Sequence, residues 1–157
     1  MRKPRWLLLV TALVLVHGCA RATAVRPAPP SPSPSAALIP WRHDYEAALA
    51  TAQAEHKPLM VDVSTTWCAA CKRLDETVFS RPDVAQASQA FVPVRVDADK
   101  RPDLKQRFSV SGFPTIIFLS PEQKEITRVR GAVPYQAMLK AIADAANPKS
   151  APPQPHP

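Results

Sequence analysis

Cysteine is scarce in this chain of 157 residues: Cys19, Cys68 and Cys71 are all there are. The four histidines, His17, His43, His56 and His156, are scattered. A zinc site needs about four ligands, usually a second cysteine pair or paired histidines, so this inventory argues against zinc. A c-type haem attachment needs histidine directly after the second cysteine, and Lys72 stands there. Glycine is scarcer than proline, three against nineteen, and the prolines concentrate outside the middle of the chain. An excess of charge is also missing where it would matter. The formal net charge is +7, but Arg2, Lys3, Arg5, Arg21, Arg26 and Lys149 lie at the ends. Trp41 to Ala146 holds 14 Lys/Arg against all 13 Asp/Glu. A basic balance confined to the termini gives no reason to expect nucleic acid. No internal repeat is visible.

The ends have their own pattern. Basic residues in Met1–Arg5 precede an apolar run, Trp6 to Val16. Its eleven residues fall short of the ~20 that span a bilayer and suit the apolar region of an export signal. Two processing sites compete. Val16-His17-Gly18-Cys19 resembles a bacterial lipobox, in which Cys19 would be lipidated, although His17 is unusual there. Ala22-Thr23-Ala24 resembles an ordinary cleavage site that would release a soluble protein. A retained signal anchor is the third reading. All three put the rest of the chain outside the cytoplasm: in the bacterial periplasm or envelope, lipid-anchored under the favoured reading, or soluble after cleavage at Ala24. The expected organisation is a signal at 1–18, a proline-rich tether at 19–40, one domain at 41–147 and a proline-rich tail at 148–157. A polyproline tether extends by ~3.1 Å per residue, enough to stand a domain about 40 Å off a membrane.

Between these ends the pattern is α/β. Asp44 can cap a helix from Tyr45 to about Glu55, which Lys57-Pro58 ends. Leu59 to Ser64 reads as a buried strand, Ala69 to Phe79 as a helix, and Arg81-Pro82-Asp83 as the start of a short one. Phe91–Asp97 and Thr115–Leu119 are further strands, with a helix from Arg101-Pro102-Asp103 between them. Glu125–Arg130 alternates like an edge strand, and Tyr135–Ala146 closes the domain as an amphipathic helix. A βαβ unit followed by ββα predicts a mixed sheet of four strands, or five, with helices on both faces.

The strand Leu59–Ser64 runs through Thr65-Thr66-Trp67 into Cys68-Ala69-Ala70-Cys71. A strand that delivers two cysteines to the first turn of a helix makes the pair a candidate redox centre. Unpaired N–H groups and the positive end of the helix dipole favour a thiolate there. Cys68 would attack a substrate disulfide and Cys71 would resolve the mixed disulfide. An inert structural disulfide is the bland alternative, but it would close almost no loop and stabilise little.

Asp62 interrupts the apolar strand six residues before Cys68. Buried there, its carboxyl would titrate upward and could pass protons during exchange; turned to solvent, it would do neither. Asp75 follows Cys71 by four residues, on one helical face with both cysteines, where its charge would hold back the thiols. The bland reading of Asp75 is a solvated helix face with Lys72 or Glu76. With only alanines between the cysteines, no cation between the sulfurs stabilises the thiolate, which favours a reducing couple. Pro114 cannot donate to a ladder and so must open its strand, and a cis Phe113-Pro114 turn would leave the Phe113 backbone free for an incoming peptide.

Asp62 to Lys72, together with Gly112-Phe113-Pro114-Thr115, resembles the thioredoxin superfamily over roughly Trp41 to Ala146. Within it, Trp-Cys-x-Ala-Cys-Lys, Asp75 and Thr77–Val84 are most similar to the C-terminal thioredoxin-like domains of DsbD-type electron transporters and related exported proteins. The resemblance implies a thioredoxin-like fold and a protein thiol–disulfide oxidoreductase with no cofactor beyond its dithiol. It assigns Cys68 as nucleophile, Cys71 as resolver, Asp62 as buried acid, Asp75 as a second tuning acid and Pro114 as the cis-proline, with Trp67 and Phe113 expected beside the substrate. Partners would be oxidised proteins and a membrane electron donor on another chain, the protein itself being a monomer. Ala69-Ala70 replaces the usual Gly-Pro, so a cytoplasmic thioredoxin's potential does not carry over. A thiol oxidase or isomerase, or a redox-inactive binding or chaperone module of the same fold, are the alternatives.

Overall fold

The computed structural model describes residues 38–147. The expected signal segment, Cys19, nearly all of the tether and the tail lie outside them. The elements run α1 (Tyr45–Glu55), β1 (Leu59–Ser64), α2 (Ala69–Leu74), a π-helical turn (Asp75–Phe79), α3 (Pro82–Ser88), β2 (Val92–Asp97), α4 (Pro102–Arg107), β3 (Thr115–Leu119), β4 (Glu125–Arg130) and α5 (Tyr135–Ala146). The four strands form one mixed sheet in the order β2-β1-β3-β4. β1 pairs β2 in parallel and β3 antiparallel, and β3 pairs β4 antiparallel. A single bridge between Arg42 and Val94 adds a rudimentary fifth strand outside β2.

Strand alternation sends successive side chains to opposite faces, and two apolar clusters result. Val61, Val63, Val94 and Val96 meet Tyr45, Ala48 and Ala52 of α1, with Leu104 and Phe108 from the α4 region. On the other face Met60, Ile116 and Phe118 meet Leu74 and Phe79, Val84 of α3, and Met138 and Ile142 of α5. Every residue of β1 is buried, including Asp62. The sheet is therefore sandwiched, and α2 lies on the face that carries Asp62.

Two boundaries differ from expectation. Ile39, assigned to the tether from sequence, is buried in the second cluster, so packing begins there and not at Trp41. The helix expected over 69–79 is α-helical only to Leu74. The Ser80 N–H then reaches back five residues to the Asp75 carbonyl at 3.0 Å. The hydroxyls of Thr77 and Ser80 bond to the carbonyls of Arg73 and Glu76, at 2.8 and 2.7 Å. Such back-bonding competes with the regular ladder and bends helices, and single π turns inside helices recur at functional sites.

α1 forms where expected because Asp44 Oδ1 accepts from the Ala47 N–H at 3.0 Å. His56 ends it in the left-handed region, at φ +52°. Losing the cap should cost about 1 kcal/mol. Asp44→Ala is expected to lower the melting temperature by about 4 °C with the disulfide chemistry unchanged, as a thermal melt would read.

Candidate functional site

Cys68 and Cys71 form a disulfide with their Cα atoms 5.3 Å apart. Cys68 caps α2: its backbone is extended and its Sγ accepts from the Cys71 N–H at 3.1 Å. The cysteines are only 6% and 7% exposed, so the pair is reached through its rim. On that rim Trp67 stands 66% exposed. Its Nε1–H donates to Asp99 Oδ2 at 2.8 Å, and its ring meets Phe113 edge-on with centroids 5.9 Å apart. The ammonium of Lys105 lies 5.5 Å from the Phe113 ring centroid. The Phe113–Pro114 bond is cis. The Pro114 carbonyl accepts from the Gly131 N–H at 2.8 Å, whereas the Phe113 N–H and carbonyl make no backbone bond among the described residues.

β1, the strand that leads into the cysteine pair, carries Asp62, 2% exposed. The parallel register places Arg95 of β2 directly beside it. Arg95 Nε donates to Asp62 Oδ2 at 2.7 Å. The fork of the same guanidinium takes both oxygens of Asp75, Nη2 to Oδ1 at 2.5 Å and Nη1 to Oδ2 at 3.3 Å. The Trp41 ring backs it, 4.8 Å from Cζ to centroid. Asp75 is therefore ion-paired with Arg95 rather than with Lys72.

Asp62 Oδ1 and Thr65 Oγ1 are the buried side-chain oxygens without a hydrogen-bond partner among the described residues. That asymmetry decides where a proton goes. Oδ2 is occupied by Arg95, so Oδ1 is the site of protonation. Burial pushes the Asp62 carboxyl up from the ordinary 3.8 to about 6. Arg95, which favours the charged form, offsets part of the rise, and Asp75 adds to it. Desolvation wins because a carboxylate oxygen shut away from water without a partner loses its full solvation. A carboxyl titrating near 6 is largely ionised at neutral pH, yet close enough in basicity to take up a proton and return it.

A cavity of about 530 Å³ opens beside Cys71, bordered by Thr65, Lys72, Asp75, Arg95 and Lys100. The structure thus brings Cys71, Asp75 and Arg95 to one cavity, joins Asp62 to Asp75 through Arg95, and sets the Trp67 ring against Phe113, which precedes the cis Pro114. Sequence reasoning missed Arg95. Its signal was present: it is the only charge inside Val92–Val96, alternation puts it on the Asp62 face, and only the strand register, which is non-local, makes the two neighbours.

Residues 45–146 match a family model described as a thioredoxin-like domain, and the chain belongs to the thioredoxin-like family of oxidoreductases. Among its relatives are the thiol:disulfide interchange proteins DsbD. That of Klebsiella pneumoniae is 36% identical over 100 residues, 58% of this chain and 17% of that protein. That of Cronobacter sakazakii is 40% identical over 85 residues, 52% of this chain and 15% of that protein. This chain thus spans about a sixth of the length of the curated relatives it matches. Among solved structures, a Thermus thermophilus thioredoxin superposes with a TM-score of 0.66 at 30% identity, covering 72% of this chain and 91% of that one. The oxidised C-terminal domain of Neisseria meningitidis DsbD gives 0.59 at 21% identity, covering 67% and 98%, a likeness of fold.

Proposed function

We propose that this protein is an exported thiol–disulfide reductase. In its reduced form the Cys68 thiolate attacks one sulfur of a substrate disulfide. A mixed disulfide forms and the first substrate thiolate leaves. Cys71 gives its proton to Asp62 and attacks Cys68 Sγ, closing the Cys68–Cys71 disulfide and expelling the second substrate thiolate. Two electrons pass to the substrate, and a donor dithiol on another chain restores the reduced pair by the reverse exchange. No cofactor enters. The observation that carries this reading is the disulfide at the start of α2, backed by a buried carboxyl with one oxygen free. The DsbD relatives, named for thiol:disulfide interchange, support it. Substrates are oxidised proteins, with Trp67, Phe113 and Pro114 docking an extended segment on the unpaired Phe113 backbone.

Export rests on the N-terminal pattern. No helix among the described residues is long and apolar enough to cross a membrane, and anchoring is assigned to a lipid on Cys19. Radiolabelled palmitate should be incorporated by the full chain in a bacterial host and lost in Cys19→Ser. Direction is tested by bringing the purified domain to equilibrium with glutathione buffers. A reduction potential well below about −180 mV fits a reductase, and one well above it makes the protein an oxidant.

Trp67 gives a prediction that separates docking from chemistry. Because it is mostly exposed, Trp67→Ala should leave the melting temperature within about 2 °C. Its removal should raise the KM for disulfide-bearing protein substrates such as insulin about fivefold, the effect of losing ~1 kcal/mol of aromatic contact. Exchange with dithiothreitol should be unaltered.

A further inference from the structure

Resting on that reading of the dithiol, we propose that Lys105 is a specificity-determining residue. It selects substrate disulfides that carry an acidic side chain within two residues of the cysteine under attack. Local geometry fixes its place. α4 ends at Arg107, and Ser109 turns the chain in the left-handed region, at φ +50°. The Ser109 N–H returns to the Gln106 carbonyl and the Val110 N–H to the Lys105 carbonyl, both at 2.9 Å, which closes the helix end in a Schellman motif. Val110 is buried and leads into the loop that carries Phe113. The Thr115 hydroxyl braces that loop by donating to the Gly112 carbonyl at 2.8 Å. Across it, the Lys105 ammonium comes within 5.5 Å of the Phe113 ring centroid, a cation–π distance.

The charges that flank Lys105 in sequence are engaged elsewhere. Arg101 is held by Glu46 and Asp103, and Arg107 donates to Gln123. Lys100 stands 3.7 Å from Asp97, and Asp99 accepts from the Trp67 indole. Lys105 is exposed, and among the described residues its ammonium has the Phe113 ring and no carboxylate as partner. A free cation therefore stands beside the Trp67–Phe113 pair, at the residue whose backbone N–H and carbonyl are open to an extended segment. A strand paired there lies ~4.8 Å away and advances ~3.3 Å per residue, so side chains within two residues of its cysteine come into reach of the ammonium. A carboxylate at such a position is attracted and a second cation repelled. At a rim, charge of this kind governs encounter and the choice of partner. The plainer role of Lys105 is a cation in the last turn of α4, favoured by the helix dipole. That role touches stability and leaves the choice of substrate alone.

The test uses peptides that differ only in the residue next to their cysteine, which is Glu, Gln or Lys. Each cysteine is held in a mixed disulfide with the chromophore thionitrobenzoate, whose release by the reduced protein is followed by stopped flow at low salt. The wild type should attack the Glu peptide about fivefold faster than the Lys peptide, with the Gln peptide between. That ratio should fall to about one in Lys105→Gln, invert in Lys105→Glu and fade at high salt. Comparing variants cancels the intrinsic reactivity of the peptides. Arg73→Gln takes one positive charge from α2 and should keep the wild-type ratio. An equal loss there would assign the preference to net charge and overturn the proposal, as would a ratio unmoved by Lys105→Glu. Peptides that react as fast with Cys68→Ser as with the wild type would instead count against the reductase reading. The choice by charge is then read from binding alone, by titrating the oxidised protein with serine versions of the peptides and following the Trp67 indole N–H resonance. The Glu peptide should bind about fivefold tighter than the Lys peptide to the wild type and equally to Lys105→Gln. The same preference in both proteins would refute the role of Lys105.

Discussion

Asp62→Asn is expected to raise the melting temperature at pH 7.5 by about 8 °C and to leave it unchanged below pH 4. The sign follows from which protonation state the fold prefers. The folded carboxyl titrates near 6 against an ordinary 3.8, so the fold favours the protonated acid. The stability associated with that preference is complete below pH 3.8, declines as pH rises toward 6, and is gone above it. A shift of about two units corresponds to ~3 kcal/mol. Part of this is lost in the variant, because Arg95 surrenders one of its two carboxylates, leaving a net gain of about 2 kcal/mol. For a domain of this size that is about 8 °C. The same substitution removes the group proposed to take the Cys71 proton, and general-base losses of this kind run to ~10²-fold. The variant should therefore be more stable and about 100-fold slower in disulfide exchange at pH 7, a trade expected where a site is strained for its chemistry. Melting curves from pH 3.5 to 8, beside stopped-flow exchange rates, read both.

Cys71→Ala should abolish turnover by at least ~10³-fold, the scale on which losing a covalent-catalysis partner is felt, while attack by Cys68 continues. Cys68 alone can open a substrate disulfide, but without Cys71 nothing expels the second half. The mixed disulfide should accumulate with a stoichiometry of one per chain, visible as an added mass under non-reducing conditions and released by dithiothreitol. Cys68→Ser should form no such adduct, because it lacks the sulfur assigned here as the attacking one. An adduct forming equally well in both variants would reverse the assignment of nucleophile and resolver. Applied to an extract of the native compartment, the same trap would hold the physiological partner on Cys68.

Much of this arrangement is visible in the chain before any coordinates. The strand Leu59–Ser64, the cysteine pair at a helix start and the Asp44 cap are local in sequence, and local rules recover them. Asp62 is legible for a related reason: a lone carboxylate amid Met60, Val61 and Val63 faces either solvent or a functional group, and a strand covered on both faces leaves no solvent. Arg95 is not legible in the same way. It lies 33 residues from its carboxylate, and only the β1–β2 register makes them neighbours. The break after Leu74 also escapes the pattern, since Asp75–Phe79 keeps helical spacing of apolar residues and its π geometry shows in the Ser80 N–H bond to the Asp75 carbonyl. The burial of Ile39 is hidden because its flanking prolines read as tether, while its packing partners come from other parts of the chain.

The central claim is that Cys68 and Cys71 exchange electrons with disulfides of other proteins. Its most direct measurement is insulin reduction by the purified domain with dithiothreitol as electron source, wild type beside Cys68→Ser. The account predicts acceleration well above the uncatalysed rate for the wild type and none for the variant. Equal rates in the two would contradict it.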